Sequence, residues 1–407
     1  MRLAALILAA TVPLAAQPPA NDDCLACHGE PSAARADGRS VAVSPSTFAE
    51  SVHGALGLAC VDCHSDLAAL TEYPHPETLA RVDCSVCHDE PATAHRDSVH
   101  AAPRASGQPA AACADCHGAH DILASGNPAS RTYHLNVPAL CVTCHGAGGA
   151  AKTDRVAAEY HDSIHAEGLL KRGLLVAPNC ATCHGAHDTR APENPESRVH
   201  GANVIATCTS CHGGILPEYQ RGVHARALAR GHSRAPTCAD CHTAHAIVRT
   251  ATERWQLDVI RECGTCHAES LRTYRDTFHG KVTALGFSRV AKCADCHGAH
   301  GILPASDPAS PISPARRLQT CQQCHPSATE KFAWYDPHGD AHDPERSPGL
   351  YYASLAMKGL LGSVFIFFGI HTMLWFPRSL QLRRQRERRR REAQARPDGS
   401  GQARGEH

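Results

Sequence analysis

The stretch Cys113-Ala-Asp-Cys-His-Gly-Ala-His120 holds two cysteines three positions apart, a histidine directly after the second, and a further histidine three residues later. Closely similar stretches begin at Cys180, Cys238 and Cys293. Their common core, C-x-x-C-H, occurs eleven times in the 407 residues and accounts for all 22 cysteines. The fold must therefore be built around whatever this spacing binds.

The spacing fits the attachment of c-type haem. Two thiols three positions apart can bond to the two vinyl groups of one haem, while the adjacent histidine reaches the iron. Disulfide frameworks and C-x-x-C zinc sites are the alternatives, but neither requires a histidine after the second cysteine. Histidine makes up 30 of 407 residues, so its presence in all eleven motifs has a chance probability below about 10⁻¹².

We therefore predict eleven covalently bound haem c groups. The predicted attachment pairs are Cys24 and Cys27, Cys60 and Cys63, Cys84 and Cys87, Cys113 and Cys116, Cys141 and Cys144, Cys180 and Cys183, Cys208 and Cys211, Cys238 and Cys241, Cys263 and Cys266, Cys293 and Cys296, and Cys321 and Cys324. The predicted proximal iron ligands are His28, His64, His88, His117, His145, His184, His212, His242, His267, His297 and His325.

Composition supports this prediction. From Cys24 to His325 there are only nine aromatic residues and about 27 residues for each motif, too few for a separate side-chain core around each haem. The macrocycles must supply the missing apolar surface and lie close together. We expect a mainly α and irregular multihaem cytochrome c fold, with short helices at 252–263 and 271–280, loops wrapped around the haems, and almost no sheet.

Both ends of the chain indicate export and membrane anchoring. Residues 1–16 have the charged start, apolar middle and small-residue end of a signal peptide. Residues 350–376 are apolar enough for a transmembrane helix, and the arginine-rich tail at 377–407 predicts a cytoplasmic C-terminus by the positive-inside rule. The large domain is then periplasmic. The rest of the chain carries more acidic than basic residues, which argues against nucleic-acid binding.

Repeats divide the region between these ends. We predict one haem domain at 17–325, made of a single motif at Cys24 and five two-haem units at about 51–90, 97–146, 161–213, 219–268 and 271–326, followed by a histidine-containing linker at 326–349.

The repeats also carry candidate distal iron ligands, since neutral imidazole binds iron well. For any single histidine, a solvent-exposed or helix-capping role is the alternative. Because the spacing is short, we expect a distal histidine to serve a neighbouring haem, and the sequence does not say which. The candidates are the leading His53, His100, His165, His224 and His279, the C-H-x-x-H residues His120, His187, His245 and His300, the pair His134 and His200 at matching places before second motifs, and His75.

The repeated Ser-Val-His-Gly, C-A-D-C-H-G-A-H and Asp/Asn-Pro-Ala-Ser elements resemble the multihaem cytochrome c superfamily, in particular its membrane-anchored members. The resemblance extends from Cys24 to about Arg378. It implies a b-type cytochrome or a quinone-reactive membrane subunit as partner. His338 and His342 in the linker are candidate ligands that would join the haems to the quinone site, or else solvated linker residues.

His371 lies within the predicted membrane helix, where an ionisable residue is a functional candidate. It could ligate a haem b shared with a partner or hydrogen-bond a quinone. Alternatively, a backbone carbonyl or a neighbouring helix could satisfy it.

These features predict an electron carrier rather than an enzyme, relaying electrons between a quinone-linked membrane complex and periplasmic or extracellular acceptors. The alternative is a reductase of nitrite, hydroxylamine or a sulfur oxyanion, which needs one haem with an open position. The motif at Cys24 is the candidate for that open haem, because it lacks a C-H-x-x-H histidine. A filament of haem proteins is disfavoured by the predicted anchor.

Overall fold

The computed structural model describes residues 18–102, 110–149, 151 and 153–395. The predicted signal peptide at 1–16 and the end of the tail from 396 lie outside these residues. Within them the chain is helical and irregular, and the one β-type feature is an isolated bridge between Ala34 and Ser40. This confirms the predicted fold class.

Most helices are short. The α-helices are Asn21–His28, Pro45–Glu50, Val52–Ala55, Cys60–Cys63, Asp89–Arg96, Cys113–His117, Val137–His145, Asp154–His161, Ile164–Ala166, Cys180–His184, Val204–Thr209, Leu216–Arg221, Val223–Ala229, Cys238–His242, Glu253–Cys266, Ala268–Asp276, Phe278–Ala284, Cys293–His297, Arg317–Gln322 and Pro348–Gln394. A π-helical turn spans Glu167–Lys171, and 3₁₀ turns span Ser65–Leu67, Cys84–Val86, Gly213–Ile215 and Phe332–Trp334.

The helix predicted at 271–280 is two helices, separated at Thr277. Thr277 has an extended backbone, with φ −73° and ψ 165°, and its Oγ1 accepts the backbone N–H of Gly280 at 3.1 Å. A hydroxyl that caps a new helix competes with continuation of the preceding one. Serines two positions before a leading histidine form the same cap: Ser51 Oγ accepts the backbone N–H of Gly54, and Ser163 Oγ accepts that of Ala166.

The chain forms two compact units. The motif unit comprises Met1–Cys266 and Ala291–Ser327, and the C-terminal unit comprises His267–Val290 and Ala328–His407.

One backbone hydrogen bond recurs through the motif unit. The residue before a leading histidine donates its N–H to a carbonyl two positions beyond the second histidine of C-H-x-x-H in the following repeat. The bonds are Val52 to Ile122 (2.8 Å), Val99 to Thr189 (2.9 Å), Ile164 to Ile247 (2.7 Å) and Val223 to Ile302 (2.8 Å). Each repeat is thus fastened to the next at equivalent positions. We call this bond the repeat link.

The Asn/Asp-Pro-x-Ser elements form loops closed by a buried serine. Ser130, Ser197 and Ser310 are at most 4% exposed. Each donates its hydroxyl to the carbonyl seven residues earlier, on Leu123, Arg190 and Leu303, at 3.1 to 3.2 Å. These elements therefore shape the chain between two motifs.

Few apolar side chains are buried in the described residues. They are Val61, Ala166, Leu169, Ile260, Tyr274, Ala328 and Ala333. A protein of this size would normally bury far more apolar surface. The short helices accordingly lack a side-chain core of their own, as the composition predicts.

In the C-terminal unit, a buried carboxylate secures the segment before the long helix. Asp340 is 4% exposed and pairs with both terminal nitrogens of Arg272. It also accepts the backbone N–H of His342 at 2.8 Å. The Arg272 guanidinium, followed by that N–H, holds the pKa of Asp340 well below its usual range. The linker is therefore tied to helix Ala268–Asp276.

The helix Pro348–Gln394 is the one described helix long and apolar enough to cross a membrane, with a mean hydropathy of 1.8 over its most apolar 18 residues and none of them buried. Pro377 lies inside it, so no helix end marks the predicted boundary between 350–376 and 377–407. Beyond this boundary, i,i+4 ion pairs such as Arg383 with Glu387 at 3.3 Å support the helix.

The residue after the C-H pair has a positive φ in all four C-H-x-x-H motifs, and it is glycine in three of them and Thr243 (φ +65°) in the fourth. Gly185 has φ +84°, and a Cβ there would lie 2.3 Å from Asp188 Oδ1. The other carboxylate oxygen, Asp188 Oδ2, accepts a hydrogen bond from Arg198 at 3.3 Å. Gly298 has φ +82° with nothing within 4 Å of a Cβ.

We expect Gly298→Ala to lower the free energy of unfolding by about 1 kcal/mol, from backbone strain alone. Gly185→Ala should lower the Tm of the haem-loaded protein further, because Asp188 must also move. Equal losses in thermal unfolding would contradict this account.

Candidate haem-binding sites

Histidine rings meet in pairs throughout the motif unit. In each pair, the histidine of a C-x-x-C-H motif faces a histidine from elsewhere in the chain, with ring centroids 5.9 to 6.3 Å apart. The pairs are His28 with His75, His88 with His53, His64 with His120, His145 with His100, His117 with His187, His212 with His165, His184 with His245, and His242 with His300.

This separation fits a metal ion between the two rings. A bond from a metal to an imidazole nitrogen is about 2 Å long. Two imidazoles on opposite sides of one ion therefore hold their centroids about 6 Å apart. Each facing pair also lies beside the two cysteines of its motif, which are the groups that attach haem c. The residues present fit the predicted cofactor.

In three of these histidines, the protein holds the Nδ1 nitrogen by a hydrogen bond. Nδ1 of His28 lies 2.9 Å from the Val41 carbonyl, and Nδ1 of His145 lies 2.9 Å from Thr153 Oγ1. Nδ1 of His75 lies 2.8 Å from the Pro76 carbonyl. A proton on Nδ1 leaves Nε2 as the neutral nitrogen that binds iron.

Burial also favours the neutral rings. It lowers the pKa of His117, His184 and His242, and in each case a positive charge on the facing histidine would lower it further. Neutral imidazole is the form that ligates iron.

Two rules describe the pairs. A leading histidine faces the second motif of its own repeat, as His53 faces His88. A C-H-x-x-H histidine faces the first motif of the preceding repeat, as His120 faces His64. The repeat link accounts for the second rule, since it joins the leading segment of one repeat to the C-H-x-x-H turn of the next.

His75 supplies the partner for the single motif at Cys24. Its ring lies 5.9 Å from that of His28, at an interplanar angle of 8°. The motif at Cys24, which the sequence analysis names as the candidate for an open haem, therefore has a second histidine, His75, facing its own His28.

The structure places His134 and His200 differently from one another. Asn136 and Asn203 are equivalent, because the side-chain amide of each donates to a proline carbonyl eight residues earlier, at 2.9 and 2.8 Å. The residue three before each is Tyr133 in one loop and His200 in the other. The prediction that His134 and His200 occupy matching places is therefore wrong.

His134 makes hydrogen bonds with both ring nitrogens. Nε2 lies 2.9 Å from the Ala177 carbonyl and Nδ1 lies 3.1 Å from the Asn179 side-chain amide. His200 Nδ1 accepts the backbone N–H of Ala202 at 3.3 Å. The geometry therefore gives His134 a structural role in joining two segments.

The other predicted ligands lie in similar local structure. His224 and His279 are each the second residue of a helix, Val223–Ala229 and Phe278–Ala284, as His53 is in Val52–Ala55. The motif histidines His267, His297 and His325 each follow a second cysteine as in the paired motifs. Their assignment as ligands stays a prediction.

The histidines near the C-terminus have distinct surroundings. His338 Nδ1 lies 3.0 Å from Thr273 Oγ1. His342 is 64% exposed and lies 3.3 Å from Asp340. His371 faces Phe367 on the long helix, with ring centroids 6.4 Å apart.

The cysteines show the spatial order of the motifs. The first cysteines of neighbouring motifs lie within hydrogen-bonding reach in five pairs: Cys24 with Cys60, Cys84 with Cys113, Cys141 with Cys180, Cys208 with Cys238, and Cys263 with Cys293. Between these pairs, burial raises the pKa of one thiol and a charge on a thiol of the next motif raises it further: Cys87 acts on Cys63, Cys144 on Cys116, Cys211 on Cys183, Cys263 on Cys241, and Cys321 on Cys296. The motifs therefore follow one another in space in the order of the chain.

Trp255 is a site residue that the sequence analysis did not identify. Its ring lies 5.5 Å from that of His242 at an interplanar angle of 14°. Trp255 is one of three tryptophans in the chain and lies in the helix predicted at 252–263. This was the feature of the sequence that could have indicated it as a site residue.

Removing a facing histidine should open one iron. We expect the haem-loaded His120→Ala variant to gain a high-spin ferric signal in electron paramagnetic resonance, equivalent to about one haem per chain, because the motif at Cys60 loses its second imidazole. His134→Ala is the matched control and should gain none. A high-spin signal of equal size in both variants would contradict the pairing.

Residues 46–118 match the family model of cytochrome c7 and related cytochrome c. The matched segment includes the motifs at Cys60, Cys84 and Cys113, with the leading His53 and His100. Comparisons with curated proteins and with solved structures gave no match. The matched family implies covalently bound haem c and indicates electron transfer.

Proposed function

We propose that this protein is a membrane-anchored cytochrome with eleven haem c groups, relaying electrons between a quinone-linked membrane complex and periplasmic or extracellular acceptors. The observation that supports it best is the unbroken spatial succession of cysteine pairs from Cys24 to Cys321. Each haem c supplies an iron that alternates between the ferric and ferrous states. On this proposal, the polypeptide would hold these groups next to one another in the order of the chain.

The paired imidazoles favour a relay over a reductase. A reductase needs an iron with an open position for its substrate. In the eight pairs that the structure describes, including the pair at Cys24, an imidazole ring lies on either side of the predicted iron position, which supports a closed iron. Two imidazoles held by the protein also keep the ligand geometry the same in both oxidation states.

Charge favours a basic partner at the Cys24 end. Residues 18–99 contain thirteen acidic and four basic side chains. The haem propionates would add more negative charge. Complementary charge speeds the encounter of redox partners and makes it sensitive to salt. We propose basic periplasmic or outer-surface redox proteins as partners here.

At the other end, the helix Pro348–Gln394 supports a single-pass anchor in the cytoplasmic membrane, with the motif unit in the periplasm. Apolar residues such as Phe365 (69% exposed) and Trp375 (58% exposed) would face lipid or a partner helix. We propose a b-type cytochrome or quinone-reactive subunit as that partner. His371 would serve there as a ligand to haem b or as a hydrogen-bond partner of quinone.

Removing one haem from the middle of the proposed row should slow electron transfer between the haems on its two sides. In membranes containing the partner subunit, we expect quinol to reduce the wild-type haems in one fast phase. Replacing Cys141 and Cys144 by alanine should leave ten haem masses by intact-mass analysis and split reduction into a fast and a much slower phase, because one position in the row is empty.

Replacing Cys24 and Cys27 by alanine is the control, since it also removes one haem but only from the end. It should retain a single fast phase. A single fast phase in the Cys141 and Cys144 variant would contradict a single ordered path. A wild-type mass without eleven haem additions would contradict the cofactor count.

Truncation tests the anchor. A chain ending at Ser347 should move from the membrane fraction to the soluble periplasmic fraction with its haem content unchanged, because the apolar helix is removed while all motifs remain. Replacing Arg388 to Arg391 by glutamine should leave the protein in the membrane. Retention of the truncated chain in the membrane fraction would rule out this helix as its anchor.

A further inference from the structure

A cavity of about 330 Å³ lies between His165 and His212, whose ring centroids are 6.1 Å apart. Leu174, Val176 and Pro178 contribute to its mainly apolar lining. His212 belongs to the motif at Cys208, so this is the space that a haem attached there would enter. An apolar lining suits the macrocycle but not its two propionates, which need polar partners at the rim.

Two arginines line the cavity, from different repeats. Arg172 follows the leading His165 by seven residues, and Arg249 follows His245 by four. Their side chains are 57% and 52% exposed, so they lie at its solvent edge. The repeat link between Ile164 and Ile247 brings the two segments together.

Both arginines share one carboxylate. Arg172 Nη2 lies 2.7 Å and Arg249 Nη2 lies 3.4 Å from the same Oε1 of Glu167. Each guanidinium has five N–H donors. The single Glu167 oxygen that both arginines contact therefore occupies only a few of their donors, and the others can bind a further acceptor. The cluster carries an excess of positive charge, to which the neighbouring Lys171 adds.

The cluster is particular to this site. At the position of Arg249, the other C-H-x-x-H turns have Ala124, Ala191 and Pro304. In the first repeat, the position of Arg172 is taken by Cys60. The repeated fold therefore does not require these arginines.

We propose that Arg172 and Arg249 bind the propionate carboxylates of the haem attached at Cys208 and Cys211, and that they raise its reduction potential. Guanidinium–carboxylate pairs form strong charge-assisted hydrogen bonds. Positive charge beside the haem favours the ferrous form, which carries one positive charge fewer than the ferric form. Glu167 orients both guanidinium groups and partly cancels their effect. The assignment rests on the proposed haem relay.

The test is a potentiometric titration of the full-length, haem-loaded protein, followed by electron paramagnetic resonance of the low-spin ferric signals. We expect Arg249→Gln to lower the potential of one haem component, and Arg172→Gln with Arg249→Gln to lower it further. Glu167→Gln should raise the potential of that same component, because a negative charge is removed. A merely structural role would not produce opposite shifts.

Arg388→Gln is the matched control. Arg388 also pairs with a glutamate, Glu392 at 3.6 Å, but it lies on the long helix outside the motif unit. It should shift no component. The proposal is overturned if the Arg249 and Glu167 variants keep eleven haem masses and low-spin spectra yet show no shift, or shift in the same direction. Loss of the haem masses in the wild-type protein would instead overturn the relay itself.

Discussion

The architecture depends on the meeting of two imidazoles from distant parts of the chain across one metal position. Each C-x-x-C-H motif supplies only one of them. Where the second comes from another repeat, a backbone hydrogen bond such as that from Val52 to Ile122 fastens the two repeats together. With so few buried apolar side chains in the described residues, the haem c macrocycles that the matched family implies would take the place of an ordinary core.

Much of this could be predicted from local patterns. The spacing of the cysteines predicts the attachment chemistry, and the scarcity of aromatic residues predicts a fold of short helices without a side-chain core. A capped helix start also depends on a local pattern, since Ser51 and Ser163 each stand two positions before a leading histidine. Such features depend on neighbours within a few residues, which a sequence shows directly.

The assignment of distal ligands could not be predicted, for a physical reason. His120 lies 56 residues after His64, so only the folded arrangement of repeats tells which motif it faces. The hydrogen-bond partners of His134 could not be predicted for the same reason, because Ala177 and Asn179 belong to a later repeat. The break at Thr277 was missed because a threonine within a helical pattern is ordinary until its hydroxyl is seen to cap a new helix.

The equivalence of the repeat links has a consequence for how such a chain can change in length. Each junction uses the same donor position and the same acceptor position, and at each one a C-H-x-x-H histidine faces the first motif of the preceding repeat. A whole repeat inserted at a junction would receive a ligand from the repeat after it and complete the site of the repeat before it. Duplication within a gene could therefore lengthen the array by two metal centres at a time, and every intermediate length would be fully ligated.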